Sequence, residues 1–155
     1  VADHEVPRAE AEAVLDSERF NLLRGLPFFA DFGDVALWEV VHRASWRRWA
    51  AGAAIYRRGD RDNAFHIVAE GEIEVWRGGS CVARVGPGSS VGEMAYLAPD
   101  PALRTHSVDV FVSRPTTTLG FTPESIGQLS VDTQHRLDKA FNRVLVLRPD
   151  GLHGA

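Results

Sequence analysis

The spacing of apolar residues divides the chain into a helical beginning, a strand-forming middle and a helical end. Residues 21–29 carry apolar side chains at helical spacing until Gly25 and Pro27 break the pattern. A second helix is predicted to follow, with Asp34 as its N-cap. Its predicted core-facing residues are Val35, Leu37, Trp38 and Val41. Residues 1–19 are charged and rich in alanine, and they are predicted to form a linker or a partly ordered N-terminal helix.

From residue 45 onward, apolar and polar positions alternate with the period of a half-buried β-strand. Turns with glycine or proline separate the runs, and both Glu70-Gly71 and Gly78-Gly79-Ser80 are interpreted as hairpin turns. The predicted strands cover residues 45–50, 53–57, 64–69, 72–77, 81–85, 105–112 and 116–121. Many short strands at regular spacing predict a mainly β fold, either a β-barrel or a jelly roll, with helices at its two ends.

Two helices are predicted after the last strand. Thr122 is a suitable N-cap for a short helix that begins at Pro123. A longer helix is predicted from about Asp132 to Leu147, and Pro149 stops it. Its apolar stripe consists of Leu137, Ala140, Phe141, Val144 and Leu145.

Composition narrows the classes of protein that the chain can represent. Its 155 residues predict one domain, and a net charge of −4 argues against a general nucleic-acid surface. The single cysteine, Cys81, excludes an internal disulfide, and its position in an alternating apolar run predicts a small core residue. We see no apolar run of membrane-spanning length and expect a cytoplasmic protein. Because the chain begins at Val1 rather than at a methionine, we expect a fragment of a longer protein.

The richest candidate chemistry lies between Gly86 and Val108. The run Val91-Gly92-Glu93-Met94-Ala95 places a glycine directly before a short helix-forming segment. A helix start offers free backbone N–H groups and partial positive charge, so a phosphate can bind there, and a glycine lets it come close. Arg104 follows, and a guanidinium can hold two phosphate oxygens at once. Glu93 would repel a phosphate and suits a neutral hydroxyl group instead, such as a sugar 2′-OH.

These residues resemble the phosphate-binding cassette of cyclic-nucleotide-binding domains, which reads F-G-E-[LI]-A-L followed by P-R-x-A-[TS]-V. The matching halves here are V-G-E-M-A-Y-L and R-T-H-S-V. The resemblance implies that Glu93 binds the ribose hydroxyl and that Arg104 binds the cyclic phosphate. It further implies backbone or hydroxyl contacts from Gly92, Met94, Ala95 and Thr105, and a base pocket that includes Val75 and Val85, with His106 as a further candidate for that pocket.

The resemblance also implies an architecture and a domain boundary. It covers residues 20–148, with 149–155 as a tail, and it implies a jelly-roll barrel with the cassette helix in its mouth. The last helix serves as a lid over the base in the related domains, and the stripe found here suits either that role or permanent packing. The implied function is a regulatory sensor in a bacterial signalling protein. It has no catalytic activity of its own, and cAMP is favoured over cGMP as the ligand.

The sensor requires an attached effector domain, for which a Ser/Thr protein kinase is one hypothesis, and the last helix could also pair in a homodimer. Three departures from the family pattern support a second hypothesis, in which the fold is kept for protein docking without a nucleotide. Val91 replaces an aromatic residue, the loop before Arg104 is two residues longer, and His106 replaces a small residue. A more remote alternative is a cupin-like metal enzyme, although the chain has no H-x-H motif.

Other conspicuous side chains have ordinary structural interpretations. If Phe65 and Ile67 point inward, His66 between them is expected to face solvent. His42, His135 and His153 are expected on the surface, and the tryptophans of the sheet are expected to pack rather than bind. The clustered arginines are expected to form a solvated face that could also dock another domain; they are Arg43, Arg47, Arg48, Arg57, Arg58 and Arg61.

Overall fold

The described part of the chain is an antiparallel β-sheet with helices at both ends. The structure, a computed structural model, describes residues 8–60, 64–92 and 108–147. The helices are α1 (Arg8–Arg24), α2 (Asp34–Arg43), α3 (Pro123–Gly127) and α4 (Val131–Leu147), with a 3-10 helix at Pro27–Phe29. The strands are β1 (Ser45–Trp49), β2 (Ala54–Tyr56), β3 (Phe65–Arg77), β4 (Ser80–Val85), β5 (Ser90–Val91) and β6 (Asp109–Phe121).

Strands β3 and β6 form the centre of the sheet. They pair antiparallel along almost their whole length, from Phe65 opposite Phe121 to Trp76 opposite Asp109. The strand order is β1-β6-β3-β4, with β2 also paired to β6 and β5 also paired to β3. The prediction of a mainly β jelly-roll fold with flanking helices is confirmed.

Both faces of the central strands are buried, and each face belongs to a different apolar cluster. The outer cluster joins the helices to one face of the sheet, and its largest fully buried members include Leu23, Phe29, Leu37, Phe65, Phe121 and Phe141. The inner cluster fills the opposite face, and its buried members are Trp49, Tyr56, Val68, Ile73, Val75, Val91, Val108, Val110 and Val112. The long strands therefore carry apolar residues on both faces. A strand that alternates apolar and polar residues would bury only one face.

Strand β3 is continuous through Glu70-Gly71, so the hairpin predicted there is wrong. The register between β3 and β6 shifts at this point, which marks a bulge. Gly71 has φ +104°, and a Cβ at this position would lie only 2.6 Å from Thr116 Cα. The glycine is needed for close approach of two strands rather than for a chain reversal.

Strand β6 is also continuous, although two strands separated at Ser113–Pro115 were predicted. Pro115 lies within β6 at an exposed position, next to the register shift that pairs Glu70 with Thr117 but Glu72 with Arg114. A proline has no N–H to donate to a neighbouring strand, and a bulge is one place where a sheet tolerates it. Residues 105–107 of the predicted strand lie outside the described residues.

The N-cap of helix α2 lies one residue earlier in the sequence than predicted. Gly33 occupies the N-cap, while Asp34 is the first helical residue and its carboxylate accepts a hydrogen bond from Arg24. Val35 is 80% exposed, so its predicted place in the core is wrong. The buried residues of this helix are Ala36, Leu37, Val40 and Val41.

Several local predictions are confirmed, whereas one about the cysteine is wrong. Thr122 caps α3 through a reciprocal pair of hydrogen bonds with Ser125, and Gly78-Gly79 joins β3 to β4 as a two-residue hairpin loop. Cys81 is exposed rather than buried, because its strand β4 lies at the end of the strand order. Helix α1 runs unbroken across residue 19, the predicted limit of the N-terminal segment.

Candidate functional site

The described residues contain three of the predicted ligand contacts and both sides of the cassette segment. Gly92, Val75 and Val85 belong to the described structure. The remaining predicted contacts lie outside the described residues; they are Glu93, Met94, Ala95, Arg104, Thr105 and His106. The described residues form the floor of the site and the two flanks of positions 93–107.

Gly92 has a backbone conformation that other residues seldom adopt. Its φ is +86°, and the residue is buried. A Cβ placed on it would lie 2.5 Å from the hydroxyl oxygen of Tyr56 and 3.0 Å from the carbonyl oxygen of Ala64. A side chain at this position would meet both strain and collision, so only glycine fits.

The turn that leads to Gly92 is fastened to the central strand. Gly88 N–H donates to the carbonyl of Val68, and Val68 N–H donates to the carbonyl of Ser89, both at 2.8 Å. The short strand β5 then pairs with β3, with Val91 opposite His66. The backbone at Gly92 is consequently held against rigid sheet, which is the kind of support that a precise backbone contact with a ligand requires.

Val75 and Val85 come together with other valines of the inner cluster. Val75 is 2% exposed and lies opposite Ala83 of β4 and Val110 of β6. Val85 is half-buried, packs against the same cluster and lies opposite Ile73. Val91 and Val108, which stand on the two sides of the cassette segment, are buried in this cluster as well. The arrangement is an apolar floor built from β3, β4, β5 and β6.

His66 does not face solvent as predicted; it packs on the inner face. Its ring makes edge contacts with Trp49 and Tyr56, at 6.1 and 5.6 Å between ring centroids. The prediction assumed that only one face of β3 is buried, whereas Phe65 and Ile67 belong to the outer cluster and the opposite face is covered too. The sequence does show aromatic residues at positions 49 and 56, in two strands that pair with β6. That they pack against residue 66 follows only from the register of the sheet.

Trp49, His66 and Thr118 form a polar network within the apolar interior. The Trp49 indole N–H donates to Thr118 Oγ1 at 2.9 Å, and His66 Nδ1 lies 3.2 Å from the same oxygen. Because indole can only donate, Thr118 must accept that bond, and its own proton is then available to His66 Nδ1. The network fixes the orientation of the two rings beneath the turn at residues 86–92.

The start of the last helix is tied to α2 by one carboxylate. Glu39 accepts hydrogen bonds from Ser130 N–H, Ser130 Oγ and Thr133 Oγ1, at 2.7 to 2.8 Å. Burial raises the pKa of Glu39, but these hydrogen bonds, together with the charge of Arg43, more than compensate, so that the pKa lies below its ordinary value. The sequence reasoning missed Glu39, because nothing in the local pattern of α2 indicates a partner 91 residues away.

Helix α4 packs against the N-terminal helical region through residues 131–143, the part of α4 whose side chains are described. Leu137, Ala140 and Phe141 of the predicted stripe are buried in the outer cluster, and the Phe141 ring contacts those of Phe28 and Phe65. Arg136 donates to the carbonyl of Asp31, and Arg143 pairs with the Asp31 carboxylate at 3.0 Å. Val144 and Leu145 of the stripe have side chains outside the described set.

The predicted solvated arginines are exposed wherever they are described. Arg48 pairs with Glu70 at 2.9 Å, and Arg47 lies over the Trp49 ring, 4.0 Å from its centroid. Arg43, Arg57 and Arg58 are exposed too, while Arg61 lies outside the described residues. Arg48 borders a groove of about 390 Å³ between α1 and the sheet, which Arg19, Glu18 and Trp46 also line.

Metal sites and membrane-spanning helices are both absent from the described ranges. Among these residues, no group of three or more His, Cys, Asp or Glu side chains is placed to hold a metal ion. Nor does any helix of the described ranges combine the length and the apolar character that crossing a membrane requires.

Comparison with known proteins identifies the fold and its relatives. A cyclic nucleotide-gated potassium channel of Rhizobium etli is 33% identical over 94 residues, which cover 61% of this chain and 26% of the channel. The cAMP-dependent protein kinase regulatory subunit of Yarrowia lipolytica is 29% identical over 105 residues, which cover 68% of this chain and 27% of that protein. The chain spans about a quarter of the length of these curated relatives.

A solved structure with the same fold is the regulatory subunit of a cAMP-independent protein kinase A from Trypanosoma brucei. It superposes with a TM-score of 0.71 at 18% identity, and the match covers 86% of this chain and 46% of that one. The sequence model of one family, described as the cyclic nucleotide-binding domain, matches residues 46–131, which is more than half of the chain. The fold has jelly-roll topology, and the turn at residues 86–92 ends in a glycine with positive φ. Together with the family match, these features show that the chain belongs to the family of cyclic nucleotide-binding domains.

Proposed function

We propose that this domain binds a cyclic mononucleotide, cAMP in preference to cGMP, and that it serves as a regulatory sensor. The observation that carries the proposal is the backbone at Gly92, which has positive φ, is buried and is fastened to the central strand. It stands directly before the Glu93-Met94-Ala95 run whose chemistry suits a sugar and a phosphate. The cAMP-dependent kinase subunit among the relatives supports the choice of cAMP.

The proposed roles of the individual residues follow the cassette pattern. Arg104 and the cassette amides at Gly92, Met94 and Ala95 hold the cyclic phosphate, with Thr105 beside them. Glu93 accepts a hydrogen bond from the ribose 2′-OH. Val75 and Val85 supply apolar surface for the base, and His106 is a further candidate for contact with it.

Regulation would pass from the site to an attached effector through the last helix. We propose that residues 20–148 form the sensor, with 149–155 as a tail, and that α4 moves between an open and a ligand-bound position. A Ser/Thr protein kinase is one effector that fits this scheme, and pairing of α4 in a homodimer is a second way to transmit the signal. A cytoplasmic location stays a prediction.

Calorimetric titration of cAMP and cGMP into the purified chain tests the proposal. We expect micromolar binding, with cAMP the tighter ligand, because a cyclic phosphate and a ribose hydroxyl are both recognised. Arg104→Ala should weaken binding by about a hundredfold or more, since it removes two charge-assisted hydrogen bonds of roughly 1.5–3 kcal/mol each. Arg114→Ala, which removes an exposed arginine in β6, is the matched control and should bind normally.

The role of Glu93 has a sharper test in the nucleotide itself. If Glu93 binds the 2′-OH, Glu93→Ala and the 2′-deoxy form of cAMP remove the same interaction, and their effects should not add. Additive losses would show that the carboxylate acts elsewhere. Absence of heat with either nucleotide at millimolar concentration would refute the sensor function as a whole.

One observation favours a second function, which is protein docking without a nucleotide. Val91 stands where the family pattern has an aromatic residue, and it is 1% exposed within the inner cluster. The Trypanosoma brucei structure, named as cAMP-independent, has the same fold. The family match favours both of these functions over a cupin-like metal enzyme.

A further inference from the structure

Tyr56 connects three segments of the chain at the floor of the proposed site. The residue belongs to the short strand β2, is 1% exposed and pairs with Val110 at the start of β6. Its hydroxyl donates to the carbonyl of Ala64, just before β3, at 2.8 Å. The carbonyl oxygen of Val91, at the end of β5, lies 3.4 Å from the same hydroxyl. One buried side chain therefore reaches the backbone both just before β3 and at the end of β5.

The hydroxyl end of Tyr56, which is the oxygen and the ring carbon that bears it, is the part of the side chain nearest to Gly92. The position of a Cβ on Gly92 lies 2.5 Å from the hydroxyl oxygen and 2.9 Å from the ring carbon that bears it. Gly92 has φ +86°, and the hydroxyl end of Tyr56 occupies the space that a side chain on it would need. A phenylalanine here would keep the ring and remove the oxygen that lies near the Val91 carbonyl and Gly92.

The surroundings of Tyr56 hold that hydroxyl in one place. His66, itself bonded to Thr118, packs edge-on against one side of the Tyr56 ring. Val91 and Val108, which flank the cassette segment, pack in the same cluster as Tyr56. Ligand contacts need supporting residues whose own positions are fixed by packing and hydrogen bonds, and this cluster meets that condition.

We propose that the Tyr56 hydroxyl is a positioning residue for nucleotide binding: it sets the orientation of the Val91–Gly92 peptide, and it touches no ligand itself. The inference rests on the proposed function, because Gly92 is a predicted backbone contact of the cyclic phosphate. A displacement of about 1 Å at such a contact is enough to weaken it substantially.

Tyr56→Phe tests this role with the ring retained. We expect cAMP and cGMP to bind about tenfold more weakly, both by the same factor, because the phosphate and ribose are common to them whereas the base is not. The melting temperature without ligand should fall by no more than about 2–4 °C. Amide hydrogen exchange should accelerate in residues 88–92, where the hydroxyl acts.

Thr116→Val is the matched control, since it also removes a buried hydroxyl with backbone hydrogen bonds. Thr116 serves the bulge at Gly71, where it donates to the carbonyl of Arg114 and accepts from Glu72 N–H. We expect this variant to lose stability and to keep its nucleotide affinity. Unchanged affinity in Tyr56→Phe, or a loss that differs between the two nucleotides, would overturn the positioning role while the wild-type titration still supports the sensor function. If the wild-type chain binds neither nucleotide, the sensor function and this inference fail together.

Discussion

At the scale of single residues, glycines at two close contacts determine where the chain can bend and approach itself. Gly71 and Gly92 both have positive φ, and in both cases a Cβ would collide with a neighbouring strand. The first glycine keeps β3 against β6, and the second places the backbone at the proposed phosphate contact. Gly79 also has positive φ, but the space around it is open, so a side chain there would be strained without a collision.

We therefore predict that Gly71→Ala is much more destabilising than Gly79→Ala. At residue 71 the new methyl group would overlap Thr116 and lie 2.7 Å from the carbonyl oxygen of Pro115, so strain and overpacking combine. We expect a loss of about 3 kcal/mol in the free energy of unfolding, against about 1 kcal/mol at residue 79. Urea unfolding of the two variants checks this, and equal losses would show that β3 has room to adjust.

At the scale of secondary-structure elements, the position of α4 depends on polar bonds at its start as well as on its apolar stripe. Ser130 caps the helix by accepting a hydrogen bond from Thr133 N–H, and Glu39 of α2 binds both residues. Phe141 then anchors the helix between Phe28 and Phe65. A movement of α4 relative to α2 would have to break the Glu39 bonds, which makes this carboxylate a measurable part of the proposed signalling path.

Glu39→Gln should lower stability at neutral pH and have less effect in acid. Because hydrogen bonds depress the pKa of Glu39 in the folded state, its contribution is present above the ordinary value of 4.5 and is lost as the pH falls through the folded value. Solvent screens part of the charge, so we expect only about 1 kcal/mol at pH 7. The difference between wild type and variant, measured by urea unfolding, should shrink below pH 4.5.

Asp138→Asn is the control for that experiment, since Asp138 is an exposed carboxylate on α4, the helix that Glu39 binds. Its effect on stability should be small. A Glu39 effect that persists unchanged in acid would mean that the side chain contributes by packing rather than by its charge.

At the scale of the whole molecule, ligand binding and folding are linked, because only the folded domain presents the site. A ligand at one hundred times its dissociation constant should stabilise the domain by about 2.7 kcal/mol. For a domain of this size we expect cAMP to raise the melting temperature by roughly 5–10 °C. Arg104→Ala should melt at nearly the same temperature as wild type without ligand and should lose most of the cAMP-induced shift.

The same sheet explains why some predictions succeeded and others failed. Local signals were sufficient for the Thr122 cap, the Gly78-Gly79 loop and the extent of α4, because each depends on residues close in sequence. Predictions that divided β3 and β6 into shorter strands failed, since a glycine or a proline has the same local appearance in a turn and in a bulge. Only the register between the two strands distinguishes those cases.

The sequence by itself determined the family, the mainly β architecture and the run that carries the candidate ligand chemistry, because those follow from residue types at short spacing. The tertiary structure alone decided that His66 packs against Tyr56, that Glu39 binds the start of α4, and that the Tyr56 hydroxyl lies beside Gly92. These contacts join residues between 10 and 94 positions apart. The contacts of His66 and Tyr56 exist because the long strands bury both of their faces, and the Glu39 contact exists because α2 packs beside the start of α4. Both are properties of the packed molecule and not of any one segment.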